Sequence, residues 1–232
     1  MRDWTCDDDY ADVDRLDAAG LAWEFARRGP ALRAALADPT ADLARWGLVS
    51  PADPELTAEQ ANVWWRWDFA PGIVVSLVAA RGSGATAAAL RAAAVAREGE
   101  RLRFPNGLQA ELPESLAEAD PVAAIIPLAT DWRTRAAAAG ALCGGLAGRW
   151  RAVPLPSRWR RARLRRMLRT LDGRAAGASY RDIAFVVLGE RFEGSTAWRD
   201  ASARGVAIRL AQAALELARA GYARFLRRRS DG

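Results

Sequence analysis

Apolar positions recur along this chain in two rhythms, and the change from one to the other predicts its elements. In residues 18–28, Leu21, Trp23, Phe25 and Ala26 are interleaved with Glu24, Arg27 and Arg28 and stop at Gly29-Pro30, which predicts a helix. A shorter helix is expected over 31–37, before Asp38-Pro39. Residues 51–68 read as loop around Trp64, Trp65 and Trp67, and the β-branched run 73–79 reads as a buried strand. The alanine-dominated stretch 85–97 predicts a helix. Leu102 and Phe104 then alternate with arginine, Asn106-Gly107 supplies a tight turn, and Leu108, Ala110 and Leu112 alternate again, which is a β-hairpin. Residues 121–128 offer a further strand, and 132–146 return to a helical pattern.

Past Pro154 and Pro156 the rhythm is helical throughout. Leu164, Met167, Leu168 and Leu171 form one stripe, and Arg160, Arg161, Arg163, Arg165, Arg166 and Arg169 occupy the other faces. A small-residue turn over 175–178 leads to Ser179-Tyr180-Arg181-Asp182, which has the form of a capping box, with Tyr180, Ile183, Ala184, Val187 and Leu188 as its inward stripe and Gly189 as C-cap. A last helical pattern spans 198–228, with interruptions expected at Gly205 and Gly221. The expected fold is α+β, mostly α: N-terminal helices with a small antiparallel sheet or hairpin, then an all-α, helix-turn-helix-like unit. The expected domains are 1–150, a regulator-like and oligomerisation region, and 151–232, a DNA-binding domain.

Charge sharpens this division. Residues 1–150 hold 15 Arg against 21 acidic residues, a net of −6, whereas 151–232 hold 19 Arg against 7, a net of +12. GC-rich coding would enrich arginine in both halves alike, so the asymmetry points to an anionic partner for the second half. The chain has no histidine and no lysine. Histidine-based triads, a Walker lysine and a Schiff base are therefore excluded, and Cys6 and Cys143 have no histidine with which to build a zinc site. No enzymatic activity and no cofactor is expected. No long apolar run suggests a membrane span, and Met1 is followed by an acidic stretch, so a cytoplasmic, nucleoid-associated location is expected.

Two other features invite chemistry. Gly82-Ser83-Gly84 with Ala87 follows a predicted strand, as in dinucleotide-binding loops, but a hairpin follows where a repeated βαβ unit would be needed. Asp7, Asp8, Asp9, Asp12 and Asp14 carry metal-type ligands in a segment that reads as a loosely held, solvated lead-in. The tryptophan group reads as packing.

The capped helix at Ser179, with small Ala184 and Gly189, has the shape of the first helix of a helix-turn-helix. On the following helix Arg199, Ser202, Arg204 and Arg209 are candidates for DNA contact, while Tyr180, Arg181 and the arginines of 160–169 suit phosphate. The sequences LRTLDGRAAGASYRDIAFVVLG and AGYARFL resemble the RovC-type DNA-binding domain of proteobacterial transcription regulators, one of which activates type VI secretion genes. LAWEFARRGPALRAALA and WWRWDFAPGIVVSL resemble the N-terminal region found with that domain in many alphaproteobacterial proteins. The resemblance implies a bacterial regulator, an activator by analogy, that binds promoter double-stranded DNA as a homo-oligomer and works with RNA polymerase or another regulator. In the rival reading the chain binds another transcription factor as an antiactivator. The stretch ERFEGSTAWRDASARG is longer than a simple turn and places Gly205 within the second helix.

Overall fold

A computed structural model of the chain describes residues 2–151, 158–191, 198 and 202–227. Its first element corrects an expectation, because the acidic lead-in is firmly held. A 3-10 turn over Asp8–Asp14 places Tyr10 and Val13 at 0 % exposure. The lead-in is a strap lying along a helix of the C-terminal third, whose arginines supply the positive charge its aspartates need. Those partners lie some 150 residues away in sequence, beyond the reach of any local pattern.

Helix α1 (Ala18–Ala26) starts where Asp17 accepts a 2.7 Å hydrogen bond from the Gly20 amide. Every residue from Leu21 to Ala26 is buried, so α1 is a core helix with no solvent face. Helix α2 (Pro30–Ala37) begins on a proline, whose missing N–H costs nothing in the first turn. At the corner between them, a Cβ on Gly29 would lie 2.3 Å from the Ala218 carbonyl oxygen, so the C-terminal helices press directly on this turn.

Strands β1 (Val74–Ala79), β2 (Ala96–Glu98), β3 (Arg101–Arg103), β4 (Gln109–Glu111) and β5 (Val122–Ala124) form one sheet in the order β2-β3-β4-β1-β5. The predicted hairpin is β3–β4, with Leu102 opposite Ala110 and Gly107 in the left-handed region at φ +83°. The sheet is mixed, because β1 and β4 run parallel while the other neighbours are antiparallel. Helix α3 (Ala87–Ala93) is shorter than its alanine-rich sequence predicts. Ala94 turns extended, the Val95 amide donates to the Arg103 carbonyl, and the next residues pair with β3. Strand pairing here outweighs intrinsic helix propensity. Beside β1 the Gly82-Ser83-Gly84 segment leads into α3 and then into hairpins, and β5 is antiparallel to β1. Helix α4 (Trp132–Leu146) covers the sheet, and Ala138, Ala139 and Leu142 meet Val75, Leu77, Leu90 and Phe104 in a small core.

Helices α5 (Arg158–Ala175), α6 (Tyr180–Leu188) and α7 (Ser202–Glu216) follow. A π-helical turn over Leu217–Gly221 then leads to α8 (Ala223–Leu226). The expected interruption falls at Gly221, whereas α7 runs through Gly205 unbroken. The prolines of the expected linker, Pro154 and Pro156, lie outside the described residues.

The larger core draws on both charge halves. Tyr10, Leu21, Trp23, Phe25, Trp65 and Ile73 pack in one cluster with Leu164, Leu168, Ile183, Leu210, Leu217 and Leu226. Trp64 and Trp65 are buried, in keeping with a packing role. Polar links reinforce the union. Glu24, at 0 % exposure, accepts from Arg27 Nε at 3.0 Å, Arg28 Nη1 at 2.6 Å and the Ala58 amide at 2.8 Å. Arg28 also donates twice to Asp172 of α5, each bond 2.7 Å, and the Tyr10 hydroxyl donates to the same carboxylate at 2.5 Å. Burial would raise the Glu24 carboxyl, but Arg28, Arg27 and Arg2 outweigh it and hold it at about 2 against an ordinary 4.5. Burial, Asp172 and its hydrogen bond push the Tyr10 phenol upward, so it stays neutral and donates.

Removing one partner of such a buried cluster leaves the others uncompensated, so Glu24→Gln is expected to destabilise the fold by about 3–5 kcal/mol in urea denaturation. The depressed carboxyl contributes stability that is present above pH 4.5 and lost as pH falls towards 2, so the gap between wild type and variant should close over that window. A gap independent of pH would contradict this account. Because its apolar faces are completed by residues 10–74, an isolated 151–232 fragment is expected to give a non-cooperative melt by circular dichroism. A cooperative transition matching that of the intact chain would refute the shared core.

Candidate nucleic-acid interface

Helix α5 carries its arginines in two sets. Arg161, Arg165 and Arg169, four residues apart, lie on one row facing the strap. Arg161 is buried and donates to the carbonyls of Val13 at 2.8 Å and Leu16 at 2.9 Å. Arg165 reaches Asp7 at 3.2 Å and Asp14 at 3.3 Å. Arg169 is buried and donates to the carbonyls of Trp4 and Thr5, each at 3.0 Å, and to Asp7 Oδ1 at 2.7 Å. Burial lowers the Arg161 pKa, since its hydrogen-bonding partners are neutral carbonyls. Arg160, Arg163 and Arg166 occupy the other side, exposed and with no ion pair to any described residue. Of the six α5 arginines that the sequence offers for phosphate, the structure commits Arg161, Arg165 and Arg169 to the strap and leaves the other three to solvent.

Helix α6 has the expected capping box. The Asp182 amide donates to Ser179 Oγ at 3.2 Å, and the Ser179 amide donates to Asp182 Oδ2 at 2.8 Å. Hydrogen bonds from Ser179 hold the Asp182 carboxyl below its ordinary range, so it stays charged at the positive end of the helix. Gly189 closes the helix at φ +76°. Ile183, Ala184 and Val187 face inward, where α6 packs against both α5 and α7. Tyr180 is half-buried beneath Arg174, whose guanidinium carbon lies 4.6 Å from the ring centroid. Arg181 is half-buried beside it. Phe185 points outward at 58 % exposure, although it sits in the middle of an apolar run.

On α7 Ser202, Arg204 and Arg209 are exposed, while Ala203, Ala207, Leu210, Ala211 and Ala214 form the buried side. A Cβ on Gly205 would lie 3.1 Å from Arg209 Nη1, so this glycine leaves room for the Arg209 guanidinium to fold along the helix surface. Arg199 lies outside the described residues, as does most of the α6–α7 connection. From Gly189 to α7 the chain spends more residues than the three- or four-residue turn of a simple helix-turn-helix. The structure thus brings Arg204 and Arg209 to the solvent side of a helix packed on α5 and α6, which also carries Arg160, Arg163 and Arg166.

Sequence reading passed over Arg219 and Arg224, both exposed and without an ion pair to any described residue. Their signal was present, since each lies on the outward side of a helical turn whose inward positions are Leu217, Ala218, Tyr222 and Leu226. No group of metal-ligating side chains gathers among the described residues, and no helix among them is long and apolar enough to cross a membrane.

Comparison with known proteins accords with this geometry. The family model described as T6SS, transcription factor, DNA binding domain (RovC) matches residues 125–227, which begin just after β5 and include α4 to α8. Among curated proteins none matches the chain. Over residues 125–227, under half of its length, the chain is similar to the RovC family of transcription-factor DNA-binding domains.

Proposed function

We propose that this chain is a transcription regulator that binds double-stranded promoter DNA sequence-specifically, without enzymatic activity, through the outer side of α5 and the exposed side of α7. Arg160, Arg163 and Arg166 contact phosphates and set the register of the protein on the duplex. Arg204, Arg209 and Ser202, together with Arg199, approach base edges, where the arginine fork matches guanine. Tyr180 and Arg181 at the start of α6 hold the neighbouring backbone. The regulator acts in the cytoplasm as an activator and a homo-oligomer, in contact with RNA polymerase or a second regulator.

The observation that carries this reading is the split among the arginines. Intramolecular acids and carbonyls engage Arg161, Arg165 and Arg169, while the exposed ones lie on helices that match a family of DNA-binding domains. Exposed, uncompensated cations attract a polyanion, which releases its own counterions on binding.

The test is duplex binding across a salt series, with two variants. Wild-type affinity should fall steeply with salt, and Arg163→Ala should lower affinity for all duplexes and reduce the magnitude of the log–log slope by about 1, with thermal stability unchanged. Arg169→Ala should instead cost more than about 2 kcal/mol of stability, since it frees buried carbonyls and Asp7. If the wild type binds no duplex at low salt, or binds with no salt dependence, the DNA reading fails and a protein partner takes its place.

A further inference from the structure

Between α5 and the C-terminal turn lies a groove of about 400 Å³, within the size range of small-molecule sites. Its apolar lining is half-buried Phe225, which stacks on Phe25 at 5.8 Å between centroids, together with half-buried Ala213, and Leu164, Met167 and Leu217 back them from within the core. Its rim carries Arg160, Arg163 and Arg224, none ion-paired to a described residue, against the single carboxylate of Glu216. The rim therefore retains net positive charge beside a partly apolar lining.

A DNA backbone satisfies only half of this chemistry. Phosphates would neutralise the arginines but have nothing with which to cover the half-buried Phe225 and Ala213. An apolar body with one anionic end matches both parts: it covers the exposed parts of Phe225 and Ala213, and a carboxylate accepts the paired N–H bonds of a guanidinium. We propose that this groove binds an amphipathic organic monoanion, of the alkyl-carboxylate class, and that its occupancy weakens DNA binding. The second clause rests on the DNA-binding reading, because Arg160 and Arg163 belong to both surfaces. Arg224 belongs to the groove alone.

The test uses the full chain and decanoate, followed by isothermal calorimetry. Saturable binding is expected, with decanol weaker by about tenfold or more, because a charge-assisted hydrogen bond is lost. Arg224→Glu, an exposed substitution, should weaken decanoate by about tenfold or more and leave the melting temperature unchanged. Saturating decanoate should lower duplex affinity for wild type and have no effect on duplex binding by Arg224→Glu. Absence of saturable heat, equal binding of decanol, or undiminished binding by the variant would overturn the ligand site. Duplex affinity unchanged at saturating decanoate would overturn the antagonism. Decanoate binding in a protein that binds no duplex would uphold the ligand site and reject the DNA reading instead.

Discussion

The structure depends on a buried chain of charges that ties its two ends together. Arg28, in the turn just past the end of α1, holds Glu24 on one side and grips Asp172 of α5 with two hydrogen bonds on the other. Tyr10 closes the network from the strap. Such a cluster is worth keeping only when every member is satisfied, since a lone buried charge is far more costly than an apolar side chain of the same size. It therefore fixes one relative placement of strap, α1 and α5, and the larger apolar core fills in around that placement.

Once α5 is held in this way, its arginines can serve two purposes. The row at 161, 165 and 169 is spent on the strap, where Asp7, Asp14 and four backbone carbonyls compensate it. The remaining arginines cannot reach those partners, because a helix rotates them to its other side. They face solvent as uncompensated charge, on the same helical unit that matches the transcription-factor domain family. The opposite charges of the two halves thus act within the molecule first, and only the unmatched remainder of the basic half is available to an external polyanion.

Most elements were legible in the sequence because their causes are local. Apolar stripes, the Asn106-Gly107 turn, the Ser179–Asp182 capping box and the Gly189 cap fix helices and hairpin within a few residues of themselves. Where a distant partner decides the outcome, the reading fell short. Val95 leads the chain into β2 because Arg103 offers its amide a carbonyl, and no alanine count reveals that. Local pattern predicts a loose strap because its aspartates far outnumber the nearby Arg2 and Arg15, although Tyr10 and Val13 at helical spacing hint at a buried side. The division of the α5 arginines was hidden for the same reason: a list of basic residues shows charge, but only the packing shows which charges are already answered.

Hydrogen–deuterium exchange of the intact protein, with and without a duplex, tests the central claim most directly. Bound DNA should slow exchange in the outer segments around residues 160–166 and 202–209, while amides of the strap over residues 3–17 keep the protection they have in the free protein. Loss of protection in the strap on binding would mean that DNA displaces it from Arg161, Arg165 and Arg169, and would contradict the separation of structural from DNA-facing arginines.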